Sequence, residues 1–135
     1  MDRKDKVQAG GTSCNLDYLL INLGRNEEAA KRLVHLFLDN YPNLIGRLEE
    51  SLANQDLPTL QRVVHDIRGS CVLFSARDCL DQTHRIENKL RDALAHNEGR
   101  GNGIDWENEL VGLRESLARM VNELKHYLGD AAAST

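Results

Sequence analysis

Apolar side chains recur every three or four residues along four long stretches of this chain, and this spacing constrains the fold more than any other feature. It is the period of one buried face of an α-helix, whereas a half-buried β-strand alternates polar and apolar residues. The sequence has no such alternating run. It therefore predicts an all-α protein and excludes the sheet classes.

Capping residues and apolar stripes together indicate where the helices lie. Side chains that can accept a hydrogen bond from a first helical turn precede four of them, at Asn15, Asn26, Asp56 and Asp105. The apolar stripes cover residues 16–23, 30–52, 60–74, 76–94 and 106–128. Pro42 falls inside the second stripe, which continues in phase, so we expect one kinked helix over 27–54. Ser75 with Asp78 three residues later predicts a capping box that closes the third helix and opens the fourth.

Four amphipathic helices with short connections bury their stripes most economically against one another. We therefore expect an antiparallel up-down four-helix bundle, with the short extra N-terminal helix as a lid. The bundle domain is predicted at 15–129, between flexible tails at 1–14 and 130–135. The glycine-rich segment 97–103 is predicted as a flexible loop, and it lacks the preceding strand and the Gly-Lys-Ser/Thr of a phosphate-binding loop.

Length and charge exclude several classes of function. With 135 residues, the chain fits one domain with a real core and has no room for a separate ATP-binding or dinucleotide-binding domain. The net charge of −4 argues against a nucleic-acid or anionic-membrane binder. No stretch approaches the roughly 18 consecutive apolar residues of a membrane span. Cys14, Cys71 and Cys79 form no Cys-x-x-Cys pair, so we expect reduced thiols and a cytoplasmic protein.

Among the five histidines, His65 has the most distinctive neighbours. His35, His84, His96 and His126 are read as surface residues. On a helical projection His65 points away from the apolar stripe of its helix. Gly69 lies one turn later and has no side chain, so it leaves the imidazole ring exposed. Arg68 can place a guanidinium beside an anion carried by that ring.

The chemistry that this arrangement favours is nucleophilic. A neutral imidazole can accept a phosphoryl group without a helper base. A metal site is not favoured, because the positions three and four residues after His65 are Arg68 and Gly69. The pairs His35 with Asp39 and His84 with Glu87 or Asn88 have ligand spacing but no further ligands in view. From the residues alone, an incidental surface histidine remains an alternative for His65.

The string His65-Asp66-Ile67-Arg68-Gly69-Ser70 resembles the core motif of histidine-containing phosphotransfer (HPt) domains of two-component phosphorelays. It follows a Pro-containing helix with Phe37-Leu38-x-x-Tyr41-Pro42 and the Asp56-Leu57 turn, and the resemblance extends over about residues 16–128. Arg68 stands where lysine is commoner in the family and keeps the positive charge. Ser75-Ala76 stands where many members have Gly-Ala.

The resemblance implies a phosphorelay intermediate that is not itself an enzyme. His65 would accept a phosphoryl group from a receiver-domain aspartate of a hybrid sensor kinase and pass it to a response-regulator aspartate. Arg68 would support the phosphate, Gly69 would give clearance, and the rim contacts with the receiver would come from Gln61, Arg62 and Val72. The chain would be a monomer that needs no cofactor or metal of its own, since the receiver domain supplies Mg²⁺.

Two alternatives belong to other classes of protein. The His-Asp-Ile-Arg string is also similar to the phosphoacceptor helix of histidine kinase dimerisation units, where a proline usually follows the arginine and an ATP-binding domain comes next. Here Gly69 and Ser70 follow Arg68. The chain also has four apolar stripes, which can bury one another without a second copy. The second alternative is a helical interaction module in which His65 is incidental.

Overall fold

The computed structural model describes residues 14–97 and 104–133, and over these residues the chain is helical with no strand. In chain order the helices are α1 (Leu16–Asn22), α2 (Glu27–Ala53), α3 (Leu57–Leu73), α4 (Arg77–Asn97), α5 (Trp106–Glu109) and α6 (Val111–Ala133). The all-α prediction is confirmed. The predicted loop at 97–103 falls almost wholly outside the described residues.

The four long helices pack in a closed ring around one core. Helix α3 packs against α2 and α4, and α6 closes the ring by packing against α4 and α2. The short α1 packs on α2, and α5 packs on α6. Since consecutive long helices are neighbours, the arrangement is the predicted up-down four-helix bundle with an extra N-terminal helix.

The predicted N-terminal caps are confirmed by their hydrogen bonds. In each case a side-chain oxygen accepts from the backbone N–H three residues later, at 3.0 to 3.2 Å. The four caps are Asn15, Asn26, Asp56 and Asp105. Pro42 lies inside α2 without ending it, so this segment is one helix rather than two.

The capping box predicted at Ser75 is wrong. Ser75 has a left-handed backbone with φ of 51°, and its N–H donates to the carbonyl of Val72. The next N–H, of Ala76, donates to the carbonyl of Cys71 at 2.8 Å. These two bonds close the C-terminus of α3, so Ser75 ends that helix as predicted. It does not open the next helix, which begins at Arg77.

The last predicted helix differs from expectation at both ends. Asp105 caps only the four-residue α5, and the chain turns at Leu110 before α6 begins. Helix α6 then passes Gly129 and continues to Ala133, four residues into the predicted C-terminal tail. Three consecutive alanines, the best helix formers, follow Gly129 closely enough to offset the roughly 1 kcal/mol cost of one glycine.

The N-terminal boundary is also shifted, by one residue. The Cys14 N–H donates to the Glu123 carboxylate at 2.9 Å, and the Asn15 N–H donates to the Phe74 carbonyl at 3.0 Å. Cys14 is therefore attached to the bundle and is not part of a tail. The rest of the predicted N-terminal tail, residues 1–13, lies outside the described residues. Within the described ranges, no helix has the length and apolarity that a membrane span requires.

The three cysteines are not joined by disulfides and differ in exposure. Cys71 and Cys79 are fully buried in the core, whereas Cys14 is half-buried. A hydrogen bond with Cys79, together with burial, raises the pKa of the Cys71 thiol well above its ordinary value. The Cys71 thiol therefore stays protonated at neutral pH.

This difference predicts selective alkylation of the native protein. Since thiolates are the reactive species, iodoacetamide at pH 7.5 should modify Cys14 and leave Cys71 and Cys79 unmodified until urea unfolds the bundle. Peptide mass spectrometry before and after unfolding measures this. Native-state alkylation of Cys71 as fast as that of Cys14 would contradict the buried, protonated thiol.

Candidate functional site

Helix α3 separates a buried face from an exposed face, and His65 lies on the exposed one. Val64 and Ile67, on either side of it in the sequence, have no exposed surface. His65, Gly69 and Val72 are spaced by four and three residues and are all exposed. His65 therefore points outward in the structure, as the helical period predicts.

The two contacts of the His65 ring with protein use the same nitrogen. Nη2 of Arg68 lies 3.1 Å from His65 Nδ1, and Oε2 of Glu87 lies 3.4 Å from that same atom. The His65 side chain is 60% exposed. The imidazole is thus anchored through Nδ1 and open to solvent elsewhere, which leaves Nε2 as the ring nitrogen that another molecule can reach.

Glu87 completes this cluster from the neighbouring helix α4. Its side chain is 14% exposed, and its Oε1 lies 3.4 Å from Arg68 Nε. Arg68 itself is 36% exposed, so its guanidinium bridges the histidine and the carboxylate at the edge of the bundle. We refer to His65, Arg68 and Glu87 as the site triad.

The sequence does not predict Glu87 as a partner of His65, because its spacing within the helix pairs it only with His84, as a candidate metal ligand. A signal was present, because Glu87 follows Thr83 by four residues and precedes Leu90 by three. Both of these residues are fully buried, so Glu87 lies on the inward stripe of α4. A carboxylate on an otherwise buried stripe calls for a charged partner. Which helix supplies that partner depends on how α3 and α4 pack.

The residues predicted as the rim flank His65 along α3. Arg62 is exposed one turn before His65, Gln61 is half-buried beside it, and Val72 is 59% exposed beyond Gly69. The structure therefore brings all six residues singled out in the sequence to one helix surface. Their surroundings are less basic than Arg62 and Arg68 alone suggest, because Glu87 shares the charge of Arg68.

Asp66 anchors the other side of this turn. Its Oδ2 accepts from Arg47 Nη2 of helix α2 at 3.0 Å, with both side chains substantially exposed. Together with the Arg68–Glu87 pair, this contact ties the His65 turn of α3 to both neighbouring helices. Among the described residues, no three His, Cys, Asp or Glu side chains form a group that could hold a metal ion.

Gly69 is not required by the fold. A Cβ built on it would meet no atom within 4 Å, and the residue lies inside a regular helix. A glycine here costs about 1 kcal/mol of helix stability relative to alanine, with no close approach or left-handed backbone to explain it. The helix would accept a side chain at this position, so the open space beside His65 exists at the expense of stability.

A family model of the Hpt domain matches residues 32–131 of this chain. The match covers most of the chain and includes the site triad. The chain belongs to the Hpt domain family, the histidine phosphotransfer domains of two-component signalling systems. Domains of this family transfer phosphoryl groups and contain no kinase or ATP-binding domain.

A solved structure supports the same fold. The chain is similar to the HPT domain of an Hpt sensor hybrid histidine kinase from Shewanella, with a TM-score of 0.70 and 19% sequence identity. The similarity covers 87% of this chain and 95% of the Shewanella domain. At this identity it establishes the bundle architecture. No curated protein sequence matches the chain.

The open space at Gly69 predicts that adding a methyl group stabilises the protein. Gly69→Ala should raise the free energy of unfolding by about 0.5 to 1 kcal/mol, from helix propensity alone. Urea denaturation measures the change. Gly46→Ala is the matched control, since Gly46 also lies inside a long helix with no atom within 4 Å of a built Cβ. Destabilisation by Gly69→Ala, with stabilisation by Gly46→Ala, would show that the fold does require Gly69.

Proposed function

We propose that this domain carries phosphoryl groups on His65 between two receiver domains, one of a hybrid histidine kinase and one of a response regulator. The observation that carries the proposal is the exposed ring of His65 beside Arg68 and Gly69 in an Hpt family member. A solvent-exposed imidazole is held through Nδ1, a guanidinium lies beside it, and a glycine one turn away keeps its approach open.

The proposed reaction is a nucleophilic substitution at phosphorus. The lone pair of His65 Nε2 forms a bond to phosphorus while the bond from phosphorus to the aspartyl oxygen breaks, and the aspartate leaves as a carboxylate. Transfer to the second receiver is the same step in reverse. Arg68 supports the negative charge of the phosphoryl oxygens, and Gly69 provides clearance.

This chain would contribute the acceptor and the docking surface, and the receiver the rest. Mg²⁺ held by the receiver would neutralise charge on the transferring group, so this chain needs no metal or cofactor of its own. It is therefore not an enzyme in its own right. Gln61 and Arg62 on one side of His65 and Val72 on the other would contact the receiver. An exposed valine between polar side chains suits a small apolar contact within a polar rim.

Packing supports a monomer rather than a kinase dimerisation unit. A dimerisation unit contributes two helices per chain and buries them against a second copy. Here α2, α3, α4 and α6 cover one another's apolar faces within one chain. We propose the cytoplasm as its compartment, where receiver domains are phosphorylated and thiols such as the buried Cys71 and Cys79 stay reduced.

Phosphotransfer to His65 can be observed directly. Incubation with a phosphorylated receiver domain and Mg²⁺ should label this protein with a phosphate that is labile to acid and stable to alkali. His65→Gln should abolish the label, because an amide nitrogen is not a nucleophile, and His84→Gln is the matched control on a surface histidine. Label retained in His65→Gln would show that the acceptor is another residue.

The clearance role of Gly69 separates a phosphate carrier from an interaction module with an incidental histidine. Gly69→Leu should slow labelling by a receiver at least about tenfold, because a bulky side chain one turn from the imidazole obstructs in-line approach. Gly129→Leu is the control, since it lies on α6, which packs chiefly against α2 and α4, and a Cβ there also meets open space. Equal labelling rates in the two variants would contradict the clearance role.

A further inference from the structure

The three cysteines of this chain lie together where α3 meets α4. Cys71 lies in the last turn of α3 and Cys79 in the first turn of α4, and neither has any exposed surface. Cys14 precedes α1 and packs, half-buried, against the same core. Three separate segments of the chain therefore bring their thiols to one end of the bundle.

The backbone holds Cys14 beside this buried pair. The N–H of Cys14 donates to the carboxylate of Glu123 at 2.9 Å, and the N–H of the next residue donates to the carbonyl of Phe74 at 3.0 Å. Phe74 lies in the turn between Cys71 and Cys79. The segment before α1 is thus fixed against the turn that joins the two buried cysteines.

The three thiols also act on one another. The pKa of the Cys71 thiol is raised first by its hydrogen bond with Cys79, then by burial, and further by negative charge on Cys79 and on Cys14. Cys71 therefore has both other cysteines as neighbours. Proximity of this kind is the first requirement for disulfide formation between cysteines.

The thiols differ in what can reach them. A reagent in solution reaches the half-buried Cys14 but not Cys71 or Cys79. Exchange between a thiol and a disulfide requires contact only between the sulfur atoms that react. A buried thiol can therefore react with a neighbouring sulfur inside the protein although no reagent reaches it.

We propose that Cys14 is a modification site for small disulfides and that it passes the oxidation inward to a disulfide between Cys71 and Cys79. The reagent class is a low-molecular-weight disulfide such as oxidised glutathione. The inference concerns residues other than the site triad and does not rest on the proposed function.

The oxidation consists of three exchanges, in each of which one bond forms and one breaks. The Cys14 sulfur bonds to one sulfur of the small disulfide, and the other half leaves as a thiol. The Cys71 sulfur then bonds to that of Cys14 and releases the second small thiol. Finally the Cys79 sulfur bonds to that of Cys71 and releases Cys14 as a thiol. Each step moves one proton from the attacking thiol to the departing one, so two protein thiols are oxidised and one small disulfide is reduced.

Attack by Cys71 is the slow step. It needs a thiolate, whereas the hydrogen bond with Cys79 and burial raise the pKa of Cys71 and keep it protonated. We expect the transfer to take on the order of hours, as uncatalysed disulfide rearrangement does. In the reducing cytoplasm proposed for this protein the thiols stay reduced, and the disulfide forms when the ratio of small disulfide to small thiol rises. The pair would respond to sustained rather than brief oxidation.

Peptide mapping tests the product of the reaction. Trypsin cleaves after Arg77, so Cys71 and Cys79 fall in separate peptides. After the folded full chain is incubated with glutathione disulfide, mass spectrometry without reductant should find these two peptides joined and Cys14 open to alkylation. A glutathione adduct that persists on Cys14 while the buried pair stays reduced would overturn the proposal, and so would the absence of any reaction.

Two variants test the order of the exchanges, and circular dichroism verifies that they are folded. Cys14→Ser should slow formation of the Cys71–Cys79 disulfide at least about tenfold, because no accessible thiol remains. Cys79→Ser should stop at a disulfide between Cys14 and Cys71. Unfolding in urea is the control, since it exposes every thiol and Cys14→Ser should then form the same disulfide readily. Equal rates in the folded wild-type and Cys14→Ser proteins, or no disulfide in Cys79→Ser, would contradict the transfer through Cys14.

Discussion

Burial of one face of α3 is the constraint on which the rest of this structure depends. Five apolar residues of this helix lose all solvent exposure between α2 and α4, namely Leu60, Val63, Val64, Ile67 and Cys71. A helix has a fixed period, so fixing its inward face fixes its outward face as well. His65 and Gly69 therefore point to solvent because of residues that they do not contact. The site is rigid at its base because the core on the other side of the same helix is close-packed.

Local chemistry explains why much of the fold could be predicted from the sequence. An N-cap such as Asn26 needs only the backbone N–H three residues later, and an apolar stripe needs only the helical period. Both are properties of a single segment. The direction of His65 follows from the same local reasoning, as does its relation to Arg68 and Gly69, one turn away on the same helix. These features were therefore predicted correctly.

Features that depend on contact between segments could not be predicted in the same way. The proximity of Glu87 to His65 is set by how α3 and α4 pack, and no spacing within either helix encodes it. The turn at Leu110 and the left-handed backbone of Ser75 are compromises between a local preference for helix and the need to redirect the chain. Of these, Glu87 lies nearest the histidine, and it changes the charge that surrounds the ring.

Arginine at position 68 can contact two neighbouring groups at once, which a lysine could not do in the same way. A lysine ammonium is a single point charge, whereas a guanidinium presents several donors in a fixed plane. Arg68 uses Nε toward Glu87 and Nη2 toward His65, so one side chain contacts both the carboxylate and the imidazole. An ammonium at this position would have to satisfy the carboxylate and the imidazole from one nitrogen. The planar arginine makes the two contacts from separate nitrogens, so the histidine on α3 and the carboxylate on α4 are joined through one side chain without either contact displacing the other.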